Sequence, residues 1–166
     1  MFDKQTIQAD NKQDFYRPLN EYFTALISED SDWLAGLSNA SALLYQLMPH
    51  INWAGFYLLK NGELILGPFQ GKPACVRIPL GRGVCGTAAL KREIQLVEDV
   101  DYFPGHITCD PASRSEIVVP IIHQEKLMGV LDIDSPVKAR FDEDDAVGLQ
   151  GFVDILNRYI DWPEHF

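Results

Sequence analysis

Between Lys60 and Glu63 the chain reads Asn61-Gly62, a pair that takes up the positive φ angles of a two-residue hairpin turn at little cost. The flanking runs, Trp53–Lys60 and Glu63–Phe69, are rich in aromatic and aliphatic residues, as strands are. The middle of the chain is therefore committed to antiparallel pairing. A second hairpin is expected from Ser115–His123 and Leu127–Ser135, joined by a three-residue loop, Gln124-Glu125-Lys126. Ala74–Leu80 and Ile94–Asp99 read as two further strands. A short helix over Gly83–Arg92 separates them, and a loop over Val100–Ser113 follows. Helical spacing brackets the strands. Phe15, Leu19, Tyr22, Phe23 and Leu26 mark a helix over about 14–28, whose regular part the proline at 18 would start. A second helix, capped by Ser31 or Asp32, carries Trp33, Leu34, Leu37, Ala40, Leu44, Leu47 and Met48 and stops at Pro49. Asp142 caps the last one, which runs through Leu149, Phe152, Val153, Leu156 and Ile160. The expectation is an α+β fold with a central antiparallel sheet of about six strands and helices packed on its faces. Ile117–Ile122 is apolar on both alternations, so both faces of the sheet should be covered. Residues 1–166 are expected to form a single domain, with 1–14 flexible.

Composition narrows the function classes. Apolar residues make up 46% of the chain, enough for one core. A net charge of −10 offers no basic stripe, which argues against nucleic acid as a partner. No run approaches the ~20 apolar residues of a membrane span, and Met1–Thr6 is polar, without the apolar core of a signal peptide. A cytoplasmic location is expected, where thiols stay reduced and disulfides are mostly transient.

All three cysteines, Cys75, Cys85 and Cys109, fall within 35 residues. Clustered cysteines in a reducing compartment point to redox or metal chemistry, set against the plain reading of cysteine as a small buried hydrophobe. The spacings, C-x9-C and C-x23-C with one H-x-x-C pair at His106 and Cys109, do not make a zinc site, and no metal is expected. Gly81-Arg82-Gly83-Val84-Cys85-Gly86 matches the dinucleotide fingerprint G-x-G-x-x-G. However, the chain after it lacks the alternating strand–helix units of a doubly wound sheet. The preferred reading is a tight turn opening a helix, a position that would lower the pKa of Cys85.

Acids interrupt the last strand. Asp132 and Asp134 lie two apart and so share a face. A three-residue hairpin loop would set Glu116 opposite Asp134 on that face, whereas a two-residue loop would turn it away. Three carboxylates on one pocket floor would push at least one pKa upward and leave a neutral acid near pH 7, able to donate a proton. The competing reading is strand ends emerging into solvent. Trp53, at the start of the first strand, could hold a sulfur-bearing or cationic ligand against its ring.

Ala74–Gly86, His106–Pro120, Asn52–Tyr57 and Gly129–Ser135 together resemble the GAF-domain free methionine-(R)-sulfoxide reductases, over roughly Phe15 to Tyr159. The resemblance implies a GAF-like fold and reduction of free L-methionine-(R)-sulfoxide to L-methionine. It implies Cys109 as the attacking cysteine, Cys75 as the recycling cysteine and Cys85 as an alternative disulfide partner. Substrate would be held by Glu116, Asp132, Asp134 and Trp53, with Glu116 also among the catalytic groups. No prosthetic cofactor is implied; thioredoxin is the implied external reductant, and a homodimer is compatible with the pattern. Two other classes stay open on the residues: a non-catalytic GAF sensor of a small ligand, and a peroxide-sensing thiol switch.

Overall fold

The computed structural model describes residues 6–166. Four helices, six strands and one 3-10 turn follow in the order α1 (Lys12–Ile27), α2 (Trp33–Leu47), β1 (Trp53–Lys60), β2 (Glu63–Gly71), β3 (Arg77–Pro79), α3 (Gly83–Lys91), β4 (Gln95–Val97), the 3-10 turn (Val100–Tyr102), β5 (Ser115–His123), β6 (Lys126–Ser135) and α4 (Glu143–Tyr159). The strands form one sheet in the order β3-β2-β1-β6-β5-β4, and every neighbouring pair is antiparallel. This is the α+β, six-stranded arrangement expected. It has no parallel crossover, so the glycine loop at Gly81–Gly86 serves as a turn. The Gly81 N–H closes it by donating to the Gly86 carbonyl at 2.7 Å.

Alternation along the strands divides the molecule into two cores. Ala54, Phe56 and Leu58 of β1, Ile117, Val119 and Ile121 of β5, and Leu131 and Ile133 of β6 pack with α1, α2 and α4. On the opposite face, Trp53, Tyr57, Val118 and Val130 pack with Val84, Cys85, Ala88 and Ala89 of α3. The second face is capped by one short helix and by loops, so it has room for a pocket.

Three local differences from the sequence expectation have physical causes. First, α1 begins at Lys12 and runs through Pro18. The Asn11 side chain caps it by accepting from the Asp14 N–H at 2.8 Å. Tyr16 then ties that turn to α4, its hydroxyl donating to Asp145 at 2.7 Å. These anchors outweigh the hydrogen bond that the proline removes. Of the segment expected to be flexible, residues 1–5 lie outside the described residues. Second, β3 is only three residues long. The Tyr57 hydroxyl takes the Cys75 carbonyl at 3.0 Å, which holds Ala74 and Cys75 off the sheet edge.

The third difference governs the site. His123 pairs directly with Lys126, so the β5–β6 loop has two residues rather than three. Gln124 and Glu125 both adopt positive φ, 47° and 65°, without the Asn or Gly that usually signals such a turn. A two-residue loop alone would turn Glu116 away from the acids. A bulge restores it: Ile122 pairs with Leu127 and Ile121 with Gly129, which leaves Met128 as the extra residue. Glu116 consequently faces Asp134, as expected but by a different route.

Candidate active site

The α3 side of the sheet collects the reactive residues in one pocket, lined among others by Trp53, Tyr57, Lys72, Cys85, His106, Cys109, Asp110, Glu116, Asp132 and Asp134. Cys109 comes from the loop that precedes β5, and Cys75 from the segment between β2 and β3. Their Sγ atoms are 2.8 Å apart as free thiols. Cys109 is exposed and Cys75 half-buried. Cys85 sits in the first turn of α3, buried beneath the loop, with Sγ 3.9 Å from Glu116 Oε1. Of the seven residues singled out in the sequence, Trp53, Cys85, Cys109, Glu116, Asp132 and Asp134 line this pocket, and Cys75 joins them through its contact with Cys109.

Trp53 forms one wall. It stacks on Phe69 with centroids 5.2 Å apart and lies 6.0 Å from the Tyr57 ring, while its indole N–H donates to the Lys72 carbonyl at 3.1 Å. Gly55, next on the same face, makes room for it. A Cβ there would approach the Trp53 ring at 2.8 Å and collide with Phe69.

Burial dominates the electrostatics. Glu116 is held well above the usual carboxylate range by burial and then by Asp134. Asp132 is raised by burial and then by Glu116, and Asp134 by burial, Asp132 and Asp110. Glu116 and Asp132 are buried, so the solvent-edge reading fails for them, and burial with mutual repulsion favours the neutral form within the cluster. Asp132 Oδ1 is buried with no hydrogen-bond partner among the described residues, which leaves an acceptor facing the pocket. At the rim, Asp110 behaves oppositely. The Ala112 N–H, Lys72 and Asn52 hold it below the usual range, with Lys72 Nζ 3.3 Å away.

The thiols follow the same physics. Although the Cys109 residue reaches solvent, desolvation of its thiol where it enters the pocket, and then the neighbouring Cys75, push it up to about 12. Cys85 corrects the sequence reading. Its place at the start of α3 was expected to lower its pKa, yet burial together with Asp132 and Glu116 raises it well above the usual value. The partial charge of a nine-residue helix is outweighed by desolvation and two acids. Cys85, Glu116 and Asp132 also offer donor atoms within 4.8 Å of one another, a set able to hold a cation only by giving up protons that burial retains.

Sequence reasoning missed two residues. Tyr57 lies two pairs along β1 from Trp53 on the same face, which strand alternation alone would have shown. His106 was considered only as half of a metal pair. Its Nε2 instead lies 3.3 Å from Glu116 Oε2.

Comparison with known proteins agrees with this geometry. The GAF domain profile matches residues 32–160. The free methionine-R-sulfoxide reductase of Escherichia coli is 54% identical over 150 residues, covering 90% of this chain and 91% of the relative. This chain belongs to the GAF-domain free methionine-R-sulfoxide reductases. The family member from Saccharomyces cerevisiae is 45% identical over 156 residues, 89% of this chain and 87% of its own length. Among solved structures, the reductase of Neisseria meningitidis in complex with its substrate superposes with a TM-score of 0.90 at 42% identity, covering 96% of this chain and 95% of that one. The reduced form of the Staphylococcus aureus reductase, fRMsr, gives 0.86 at 50% identity, covering 95% and 99%. The expected GAF-like fold is thus the fold of this reductase family.

Proposed function

We propose that the chain reduces free L-methionine-(R)-sulfoxide to L-methionine, with Cys109 as nucleophile and Cys75 as resolving thiol. The observation that carries this reading is the 2.8 Å contact between Cys109 and Cys75 beside a cluster of acids, Glu116, Asp132 and Asp134, whose pKa values burial raises. A sulfoxide oxygen leaves sulfur only after protonation, and Glu116 or a neighbouring acid supplies that proton. Cys109 gives up its own proton as its sulfur attacks. Oxygen passes to the thiol, methionine departs, and Cys109 becomes a sulfenic acid. Cys75 condenses with it, forming the Cys75–Cys109 disulfide and releasing water. A dithiol of the thioredoxin type then reduces the disulfide and is itself oxidised. The electrons come from thiols throughout, so no step needs a prosthetic group. Cys85, behind the pair, is a reserve disulfide partner.

The high thiol pKa of Cys109 suits an acid-lined pocket. The thiol stays protonated until substrate brings an α-ammonium to Asp132 and Asp134, and Asp132 Oδ1 offers the first acceptor. The Trp53 ring packs on the S-methyl group and fixes which face of sulfur meets Cys109. The loop between the 3-10 turn and β5 contributes His106, Ile107, Cys109, Asp110 and Ser113 to the pocket lining and is the segment available to close over bound substrate. Among the described residues no helix is long and apolar enough to cross a membrane, and we place the reaction in the cytoplasm.

The test is to incubate reduced protein with each methionine sulfoxide epimer, free and N-acetylated, and to measure methionine released. Activity is expected on the free R epimer, with little on the S epimer or on either N-acetylated form. Comparable rates on free and N-acetylated sulfoxide would show that no carboxylate reads the ammonium. Cysteine oxidation by peroxide without sulfoxide turnover would favour a thiol switch.

A further inference from the structure

His106 has no part in the chemistry set out above, yet it is the side chain that joins the acid floor to the nucleophile loop. It lies three residues before Cys109 in the same loop, and its backbone N–H is fixed to the Phe103 carbonyl at 3.1 Å. Its side chain is 13% exposed and that of Glu116 7%, so their 3.3 Å contact is largely shielded from water. Thr108 Oγ1 lies 3.4 Å from the other ring nitrogen, Nδ1. A hydroxyl donating there makes Nδ1 the acceptor and leaves the proton of a neutral imidazole on Nε2. Burial favours that neutral ring, with Asp101 pulling weakly the other way.

The consequence falls on Glu116. A protonated carboxyl has one carbonyl oxygen and one hydroxyl. An N–H donor is satisfied only by the carbonyl oxygen. A neutral His106 whose Nε2–H reaches Oε2, 3.3 Å away, leaves the Glu116 proton on Oε1, which lies 3.9 Å from Sγ of Cys85, a residue of the pocket lining. Without the donor the loop no longer biases the Glu116 proton towards Oε1, the proton spends part of its time directed away from substrate, and the Cys109 loop loses a contact with β5.

We infer that His106 is a positioning residue of the reductase: its Nε2–H, 3.3 Å from Glu116 Oε2, donates to that oxygen, directs the Glu116 proton into the pocket and holds the Cys109 loop over it. This rests on the reductase reading above. It assigns His106 no contact with the reacting atoms, so its loss should affect the chemical step more than substrate affinity.

The experiment compares wild type with His106→Phe, His106→Gln and His106→Asn. It measures steady-state kcat and KM and the single-turnover rate of methionine formation from free methionine-R-sulfoxide. His106→Phe keeps a ring of similar size without the donor. Its single-turnover rate is expected to fall by about 10- to 100-fold, the scale of a misdirected acid or a displaced reacting group, with KM within about threefold of wild type. His106→Gln, whose amide nitrogen reaches about as far as Nε2, is expected to recover most of the loss. His106→Asn, one methylene shorter, is not. Near-UV circular dichroism checks folding, and if His106→Phe does not fold, the Gln-against-Asn difference carries the test. Equal damage in Gln and Asn, a rise in KM alone, or a wild-type rate in His106→Phe would overturn the inference while leaving the reductase reading in place. A wild-type protein that makes no methionine would overturn both.

Discussion

Replacing Glu116 by Gln separates the two consequences of a buried neutral acid, one for rate and one for stability. The substitution preserves shape. An amide oxygen can still face His106, whose Nε2 lies 3.3 Å from the present carboxyl, and the side chain stays on the acid face of β5 opposite Asp134. What disappears is a transferable proton. Loss of a positioned acid lowers the rate by about 10²-fold or more, which at 1.36 kcal/mol per decade is roughly 2.7 kcal/mol of barrier. Stability moves the other way. The Glu116 pKa is raised in the native state by burial and Asp134, whereas in the unfolded chain a glutamate ionises near ~4.3. Below that value both states hold the proton and Glu116 costs nothing. As pH rises past it, the unfolded chain is favoured by ionising while the native state is not. That cost grows until the native pKa is reached. Glutamine carries no such cost. Rapid-quench assays should therefore show a single-turnover rate about 100-fold below wild type. Urea unfolding should show Glu116→Gln more stable than wild type at pH 7.5, with the difference shrinking towards pH 4.5. A rate within threefold of wild type would refute the proton-donor role. A variant less stable than wild type at pH 7.5 would refute the description of Glu116 as a buried neutral acid.

The cysteine roles and the thiol pKa give two further tests. Cys109→Ser should release no methionine even in a single turnover, whereas Cys75→Ser should release about one equivalent per enzyme and then stall in the presence of thioredoxin. A stoichiometric burst from Cys109→Ser would transfer the nucleophile role to Cys85. Because burial and Cys75 push the Cys109 thiol up to about 12, its thiolate fraction should grow about tenfold per pH unit across the range below that value. Iodoacetamide labelling of Cys109, followed by peptide mapping between pH 7 and 10 in the absence of substrate, should climb without levelling. A plateau near the ordinary thiol value of about 8.5 would show that the acids and burial do not act on this sulfur.

Local chemistry made much of the fold legible. Asn61-Gly62 sets the β1–β2 turn with φ angles of 52° and 81°, and β1 and β5 have the bounds their sequences imply. Asp142 caps α4 by accepting from the Asp144 and Asp145 N–H groups. The candidate site residues stood out in the sequence because reactive groups are visible where they break a pattern. Asp132 and Asp134 interrupt an apolar strand, and Cys75, Cys85 and Cys109 cluster in the chain. Short edge strands were less legible: β3 and β4 have three residues each, and a tertiary contact, the Tyr57 hydroxyl on the Cys75 carbonyl, decides where β3 begins.

The sequence by itself determined which residue types were available for the chemistry and the alternation that puts Asp132 and Asp134 on one face, since both follow from covalent order and strand period. It did not determine that Glu116 joins them. That depended on a two-residue turn at Gln124-Glu125, without a turn-forming residue, offset by a bulge at Met128, two departures that cancel in the register of the β5–β6 pair. Nor did sequence fix the sign of the Cys85 shift. A helix start favours a thiolate locally, but desolvation and the charges of Asp132 and Glu116 come from elements more than 30 residues away in the chain. Burial and through-space charge are properties of packing, so only the tertiary structure could decide which groups in this pocket keep their protons.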